Sequence, residues 1–173
     1  MKYRFRKKRD LREVDELLAK HGKPMVCAPL DPNEVDYLEG LAQRIYKRGW
    51  RSCPPKLCHY NCMRLLCEDH EKRLTYCEGH VYNGKLQVLH AWLIIGGKVA
   101  DPTIDNVKCK RAHDRNCKEH GWSVEPEGLR EYFGVEIPTV EAARLRCEMG
   151  FSDLLIEDVA FNWEWVAEQR GCR

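Results

Sequence analysis

Two pairs of turn residues constrain the centre of this chain more than anything else in it. Asn83-Gly84 and Gly96-Gly97 separate three runs whose hydrophobic pattern has a period of two: Leu74–Tyr82, Lys85–Ile95 and Lys98–Asp101. Asn-Gly and Gly-Gly supply the positive φ angles of two-residue hairpins, whose flanking strands must run antiparallel. A three-stranded meander is therefore expected. Pro102 cuts off its third strand, because proline has no N–H to give to a ladder.

Helical spacing frames the meander. Leu11, Val14, Leu17 and Leu18 share a face, and Gly22 then Pro24 close that segment. Asp31-Pro32-Asn33-Glu34 reads as an N-cap, a proline at the first helical position and an acid at the third. The face Val35, Leu38, Leu41, Ala42, Ile45 follows and runs out at Gly49. These two helices are expected to serve as a lid or supporting layer. Pro54 and Pro55 force residues 51–57 into an extended path, and helical character starts at Cys58, with Cys62, Leu65 and Leu66 inward.

After the meander come a polar segment, 105–121, a short helix near Glu127–Phe133 and a helix near Thr139–Glu148. A C-terminal helix is expected to present Leu155, Val159, Trp163 and Val166. Trp163 and Trp165 read as core or interface anchors. With no internal repeat and no Gly/Ser linker, residues 1–173 form one α+β domain. Its parts are a basic arm and two helices (1–49), a core (50–104), the polar insertion (105–121) and C-terminal helices (122–173).

Composition narrows the class. A chain of 173 residues can bury a core without covalent staples. Its 43% hydrophobic and 32% charged residues argue against disorder. No run approaches the ~18 apolar residues of a membrane helix. The first ten residues lack the apolar stretch of a signal peptide. A cytoplasmic setting with reduced thiols and no membrane partner is the expectation. Ten cysteines then need another reason to be present.

Charge adds a minor theme. Lys2, Arg4, Arg6, Lys7, Lys8 and Arg9 form a basic arm without an acid, and Tyr3 and Phe5 lie between the charges. Such an arm suits a polyanion, and it equally suits a solvated or frayed terminus.

Chemistry concentrates in the core. Cys58 stands at a helix start, His90 lies mid-strand in Leu-His-Ala-Trp, and Asp101 ends the next strand. A helix N-terminus and a nearby imidazole both favour the thiolate, which is the attacking form of cysteine. The same helix start offers free N–H groups to an oxyanion. His90 is placed to move the proton and Asp101 to hold the imidazole tautomer, provided that the strand register brings them together. Each has a bland alternative: a satisfied core histidine, a buried structural thiol. Only the combination argues for catalysis.

Cys58-His-Tyr-Asn61-Cys62, Tyr76-Cys-Glu78-Gly79, His90-Ala91-Trp92 and Asp101-Pro102-Thr103 together resemble the transglutaminase-like branch of papain-fold cysteine enzymes. They are closest to small bacterial and phage proteins with Cys-x-x-Asn, His-Ala-Trp and Asp-Pro-Thr motifs. Tyr132-Phe133-Gly134-Val135 resembles a downstream motif of that group, and the likeness covers about residues 50–140. It implies a nucleophile helix packed on a small antiparallel sheet, with Cys58 as nucleophile, His90 as general base and acid, and Asp101 as the orienting residue. Cys62 takes the position where such enzymes place a small residue.

Two departures stand out. Leu57 and His59 flank the nucleophile where glycine and an aromatic residue are usual. No glutamine shortly precedes it, which leaves Ser52, Trp50 or Gln43 as substitutes for an oxyanion donor. Asn61, Glu78 and Trp92 are candidate substrate-binding or supporting residues, with structural roles equally open. Gly79 suggests close approach to its backbone.

A metal is the rival explanation for ten cysteines and seven histidines. The chain has no C-x₂-C pair. Its best set, Cys109, His113, Cys117 and His120, would stretch ~16 Å along a helix, too far for one ion. Lys108, Lys110, Arg111, Arg115 and Lys118 surround that set with positive charge. No cofactor is expected. The sequence thus favours a cysteine hydrolase or acyltransferase acting on a peptide, protein or small acyl substrate. A binding module using residues 2–9 to hold nucleic acid or protein is the alternative.

Overall fold

The computed structural model describes residues 9–47, 53, 57–82, 87–104, 130–149, 154–158, 161, 164 and 168. Helix α1 (Leu11–His21) is capped by the Asp10 side chain, which accepts the Glu13 N–H. Strand β1 (Lys23–Pro24) follows. Helix α2 (Pro32–Tyr46) starts with the expected capping box: Asp31 accepts from the Glu34 N–H, and Glu34 accepts from the Asp31 N–H. It stops three residues before Gly49, because Lys47 takes a left-handed conformation at φ 52°. Helix α3 (Cys58–Glu68) precedes strands β2 (Leu74–Tyr82), β3 (Gln87–Ile95) and β4 (Lys98–Ala100).

The meander is present. Its register pairs Gly79 with His90 and Cys77 with Trp92 across β2 and β3, and Leu93 with Ala100 across β3 and β4. Gly96 and Gly97, at φ 55° and 79°, make the second turn. Asn83-Gly84 lies outside the described residues, as do Pro54-Pro55 and the 105–121 insertion.

One element differs in kind from expectation. In place of the short helix near Glu127–Phe133, residues Glu131–Ile137 form strand β5, which pairs with β2 along seven residues. Tyr132, Val135 and Ile137 are buried on opposite faces of the strand. A strand covered on both sides lacks the apolar–polar alternation that marks a half-exposed one. Helix α4 (Thr139–Met149) then appears as expected. The start of the expected C-terminal helix is instead a 3-10 turn, Leu155–Glu157. Val159, Trp163, Trp165 and Val166 lie outside the described residues.

The five strands run in the order β1-β5-β2-β3-β4, and the sheet curls until its edges meet. Residues 23–26 join them. Lys23 and Pro24 pair with Gly134 and Phe133, and the Met25 N–H donates to the Tyr132 carbonyl at 2.8 Å. Val26 bridges to Lys98 on the far edge, where the Val99 N–H donates to the Val26 carbonyl at 2.9 Å. The curl encloses a small cluster of Cys77, Val81, Trp92, Ile94 and Tyr132, with Met25, Val99 and Ile104 against it. The helices cover the other face, where Val14, Leu18, Leu38, Leu41, Cys62, Leu65, Leu93 and Ile137 form the main core. Leu11, expected on the inner face of α1, is exposed.

Gly79 and Gly134 are cross-strand partners at the tightest point of the sheet. A Cβ on Gly79 would run into the Phe133 carbonyl and Gly134 Cα, so the close approach read from the sequence is that of β5. A Cβ on Gly134 would sit 2.6 Å from Cη2 of Trp92.

Candidate active site

Strand β4 pairs only with Leu93–Ile95. The His90–Trp92 stretch of β3 therefore has no strand on that side among the described residues, and α3 packs against β3. Leu57, at the N-cap of α3, has no side-chain oxygen to cap the helix, and the first turn holds no acid. The positive end of the helix dipole therefore falls at Cys58 with no acidic side chain of the first turn against it.

Cys58 opens that helix and is half-buried. Burial alone would raise its thiol pKa. Hydrogen bonds from His59 and His90, the charge of His90 and the Ala91 backbone N–H outweigh burial, and the thiol falls from 9.0 to about 6. At Cys53 burial outweighs a hydrogen bond with Tyr46 and holds the thiol up at about 12, and at Cys62 burial and the Asp101 charge hold it well above the ordinary range, so both are neutral thiols.

His90 Nε2 lies 2.7 Å from Asp101 Oδ2, and both side chains are buried. With Nε2 committed there, Nδ1 is the ring nitrogen left for the thiol. Burial opposes the imidazolium, but the Asp101 charge and hydrogen bond, joined by Cys58, raise its pKa to about 10. Both shifts favour the ion pair, a thiolate beside an imidazolium.

Asp101 is fully buried. Its Oδ1 accepts the Thr103 N–H at 2.9 Å and the Ile104 N–H at 2.8 Å, and Oδ2 accepts the Tyr132 hydroxyl at 3.0 Å besides the imidazole. Burial disfavours the carboxylate. The His90 charge and hydrogen bond, then the Ile104 and Thr103 amides, overcome it and keep the pKa below the ordinary value. Pro102 fixes the turn that aims those two amides back at the carboxylate.

The supporting candidates divide. Asn61 is buried on α3, where its Nδ2 donates to Thr103 Oγ1 at 2.8 Å and its Oδ1 accepts from the Tyr46 hydroxyl at 3.4 Å. It thereby joins the nucleophile helix to the Asp101 turn. Trp92 is buried in the curl, edge-on to Tyr132 with ring centroids 5.1 Å apart. Glu78 is buried elsewhere: it accepts the Tyr76 hydroxyl and the Leu155 and Ile156 N–H groups at 3.0 and 2.8 Å. Its contacts anchor the C-terminal turn and do not reach the triad. Gln43 is exposed near the end of α2, and Ser52 and Trp50 lie outside the described residues.

Two residues join the site that sequence reading passed over. His59 was legible only as a departure from the family pattern, and Tyr132 only as part of a motif. Among the described residues no three His, Cys, Asp or Glu side chains cluster as metal ligands do. The Cys109–His120 set falls outside those residues. No family model, curated protein or solved structure matches the chain.

Proposed function

We propose that this chain is a cysteine-dependent acyl-transfer enzyme of the transglutaminase-like type, with Cys58, His90 and Asp101 as its triad. What supports this most is one set of contacts: Asp101 Oδ2 on Nε2 of His90, and a hydrogen bond between the His90 and Cys58 side chains at the start of α3. The Cys58 thiolate attacks the carbonyl carbon of an amide, isopeptide or thioester. The developing oxyanion lies at the positive end of the α3 dipole. His90 passes its proton to the leaving amine or thiol as that group's bond to the carbonyl carbon breaks, which leaves the acyl group on the Cys58 sulfur. Water then enters, His90 removes its proton, and the acid leaves as the thiolate re-forms. Hydrolysis is the simplest outcome, because water needs no second binding site.

The basic arm favours the alternative binding role less than its sequence suggests. Arg9, its last cation, donates through its guanidinium to the carbonyls of Asp158 and Phe161 and is held in the fold.

The test is p-nitrophenyl acetate as acyl donor. A burst of about one p-nitrophenolate per chain is expected, with the acetyl group on the peptide containing Cys58. Cys58→Ala abolishes the burst, and His90→Ala slows it by about 10²-fold or more. An acetyl group mapped elsewhere, or unchanged turnover in His90→Ala, overturns the proposal.

A further inference from the structure

Strand β5 brings Tyr132 into the curl from the strand beyond β2. The rung Gly134–Gly79–His90 crosses all three strands without a side chain at its first two positions. The Tyr132 ring is 5% exposed and fixed edge-on against Trp92, at an interplanar angle of 69°. A buried phenol must find a hydrogen-bond partner. This one takes the same carboxylate oxygen that His90 uses.

The count of donors gives that choice its meaning. Asp101 receives two backbone N–H groups on Oδ1, and an imidazole and a phenol on Oδ2. A carboxylate offers about four acceptor sites, so this one is saturated. It is held from turning, and its negative charge is shared among four donors.

We infer that Tyr132 is a positioning residue for the triad: its hydroxyl holds Asp101 Oδ2 against His90 and shares that oxygen's charge, so that the imidazolium stays ready to release its proton to the leaving group. The inference rests on the acyl-transfer reading for its catalytic meaning, and on the hydrogen bonds alone for its effect on His90. The titratable side chains near the His90–Asp101 pair are Cys58, His59 and Cys62 on α3, Cys53 ahead of it, Cys77 on β2 and Tyr132 on β5. Removing the phenol proton leaves Asp101 with more unshared negative charge, and His90 then binds its proton more tightly.

The test is titration of the His90 ring nitrogens by NMR in the full chain. Tyr132→Phe is expected to raise the midpoint by about half a unit or more, roughly threefold in proton affinity. 3-Fluorotyrosine at position 132 keeps the ring and is a stronger donor, so it is expected to lower the midpoint. Val81→Ala trims the same enclosed cluster without touching Asp101, and is expected to reduce stability and leave the midpoint in place. A midpoint unmoved by both changes at position 132 reduces Tyr132 to packing and overturns the inference. If the midpoint shifts as expected while Cys58 forms no acyl adduct, the acyl-transfer reading fails and the Tyr132–Asp101–His90 coupling stands.

Discussion

Asn61 Nδ2 donates to Thr103 Oγ1 across 2.8 Å, and both residues are buried. That bond spans 42 positions of sequence and links the first turn of the nucleophile helix to the turn that cradles Asp101. Asn61→Ala leaves a buried hydroxyl without this partner. A loss of about 1–3 kcal/mol is expected by chemical denaturation. Acylation of Cys58 should slow as well, because thiol and imidazole are no longer tied to one frame. A variant that loses stability and keeps its full acylation rate would make Asn61 purely structural.

The lowered thiol and raised imidazole set a pH window. Alkylation by iodoacetamide follows the thiolate fraction, so its rate should climb through about pH 6 and stand at a plateau by neutrality. In His90→Ala the climb should move up towards the free-thiol range near ~8.5. Turnover needs the His90 proton as well, and should fall again as pH passes about 10. The two limbs belong to the coupled pair rather than to either residue alone.

Gly134→Ala tests the curl. The added methyl meets the Glu78 carbonyl and the Trp92 ring, which neighbouring strands hold in place. A destabilisation of about 2–3 kcal/mol is expected. A melting temperature equal to wild type would mean that the strands separate there more easily than their pairing implies.

Glu78→Gln separates structure from chemistry. It puts an amide where the carboxylate accepts from the Leu155 and Ile156 N–H groups, so one donor loses its acceptor. A cost of about 1–3 kcal/mol and faster hydrogen exchange at Leu155 and Ile156 are expected. Cys58 alkylation should be unchanged at neutral pH. A large fall in that rate would bring Glu78 back among the functional residues.

The parts of this molecule that could be read from sequence are those made by neighbours in the chain. The capping box at Asp31 and Glu34, the Gly96-Gly97 turn and the strands beside it are local signals. That Cys58, His90 and Asp101 lie near one another could be expected from a helix start followed by consecutive strands, with α3 packed on β3. Strand β5 was not legible. It pairs with β2 about 55 residues away and buries both faces, which leaves no one-sided pattern. The 23–26 crossing was hidden for a similar reason, since two residues of strand carry no periodicity. Tyr132 reaches Asp101 only through that non-local pairing, so its role could not be derived before the sheet was known. Glu78 stood open between a functional and a structural role, and the partners described for it are the Tyr76 hydroxyl and two backbone amides of the C-terminal turn.

The most direct measurement compares three cysteines in one tube. Cys27 and Cys67 are exposed, whereas Cys58 is half-buried. Access alone would make Cys58 the slowest of the three. With a limiting amount of iodoacetamide at neutral pH and mass spectrometry of the digested protein, Cys58 should nevertheless be labelled first, by about tenfold or more over Cys27 and Cys67, given its thiolate fraction. The advantage should vanish in His90→Ala. Labelling of Cys58 no faster than of Cys27 would contradict the thiolate–imidazolium pair, and with it the acyl-transfer chemistry.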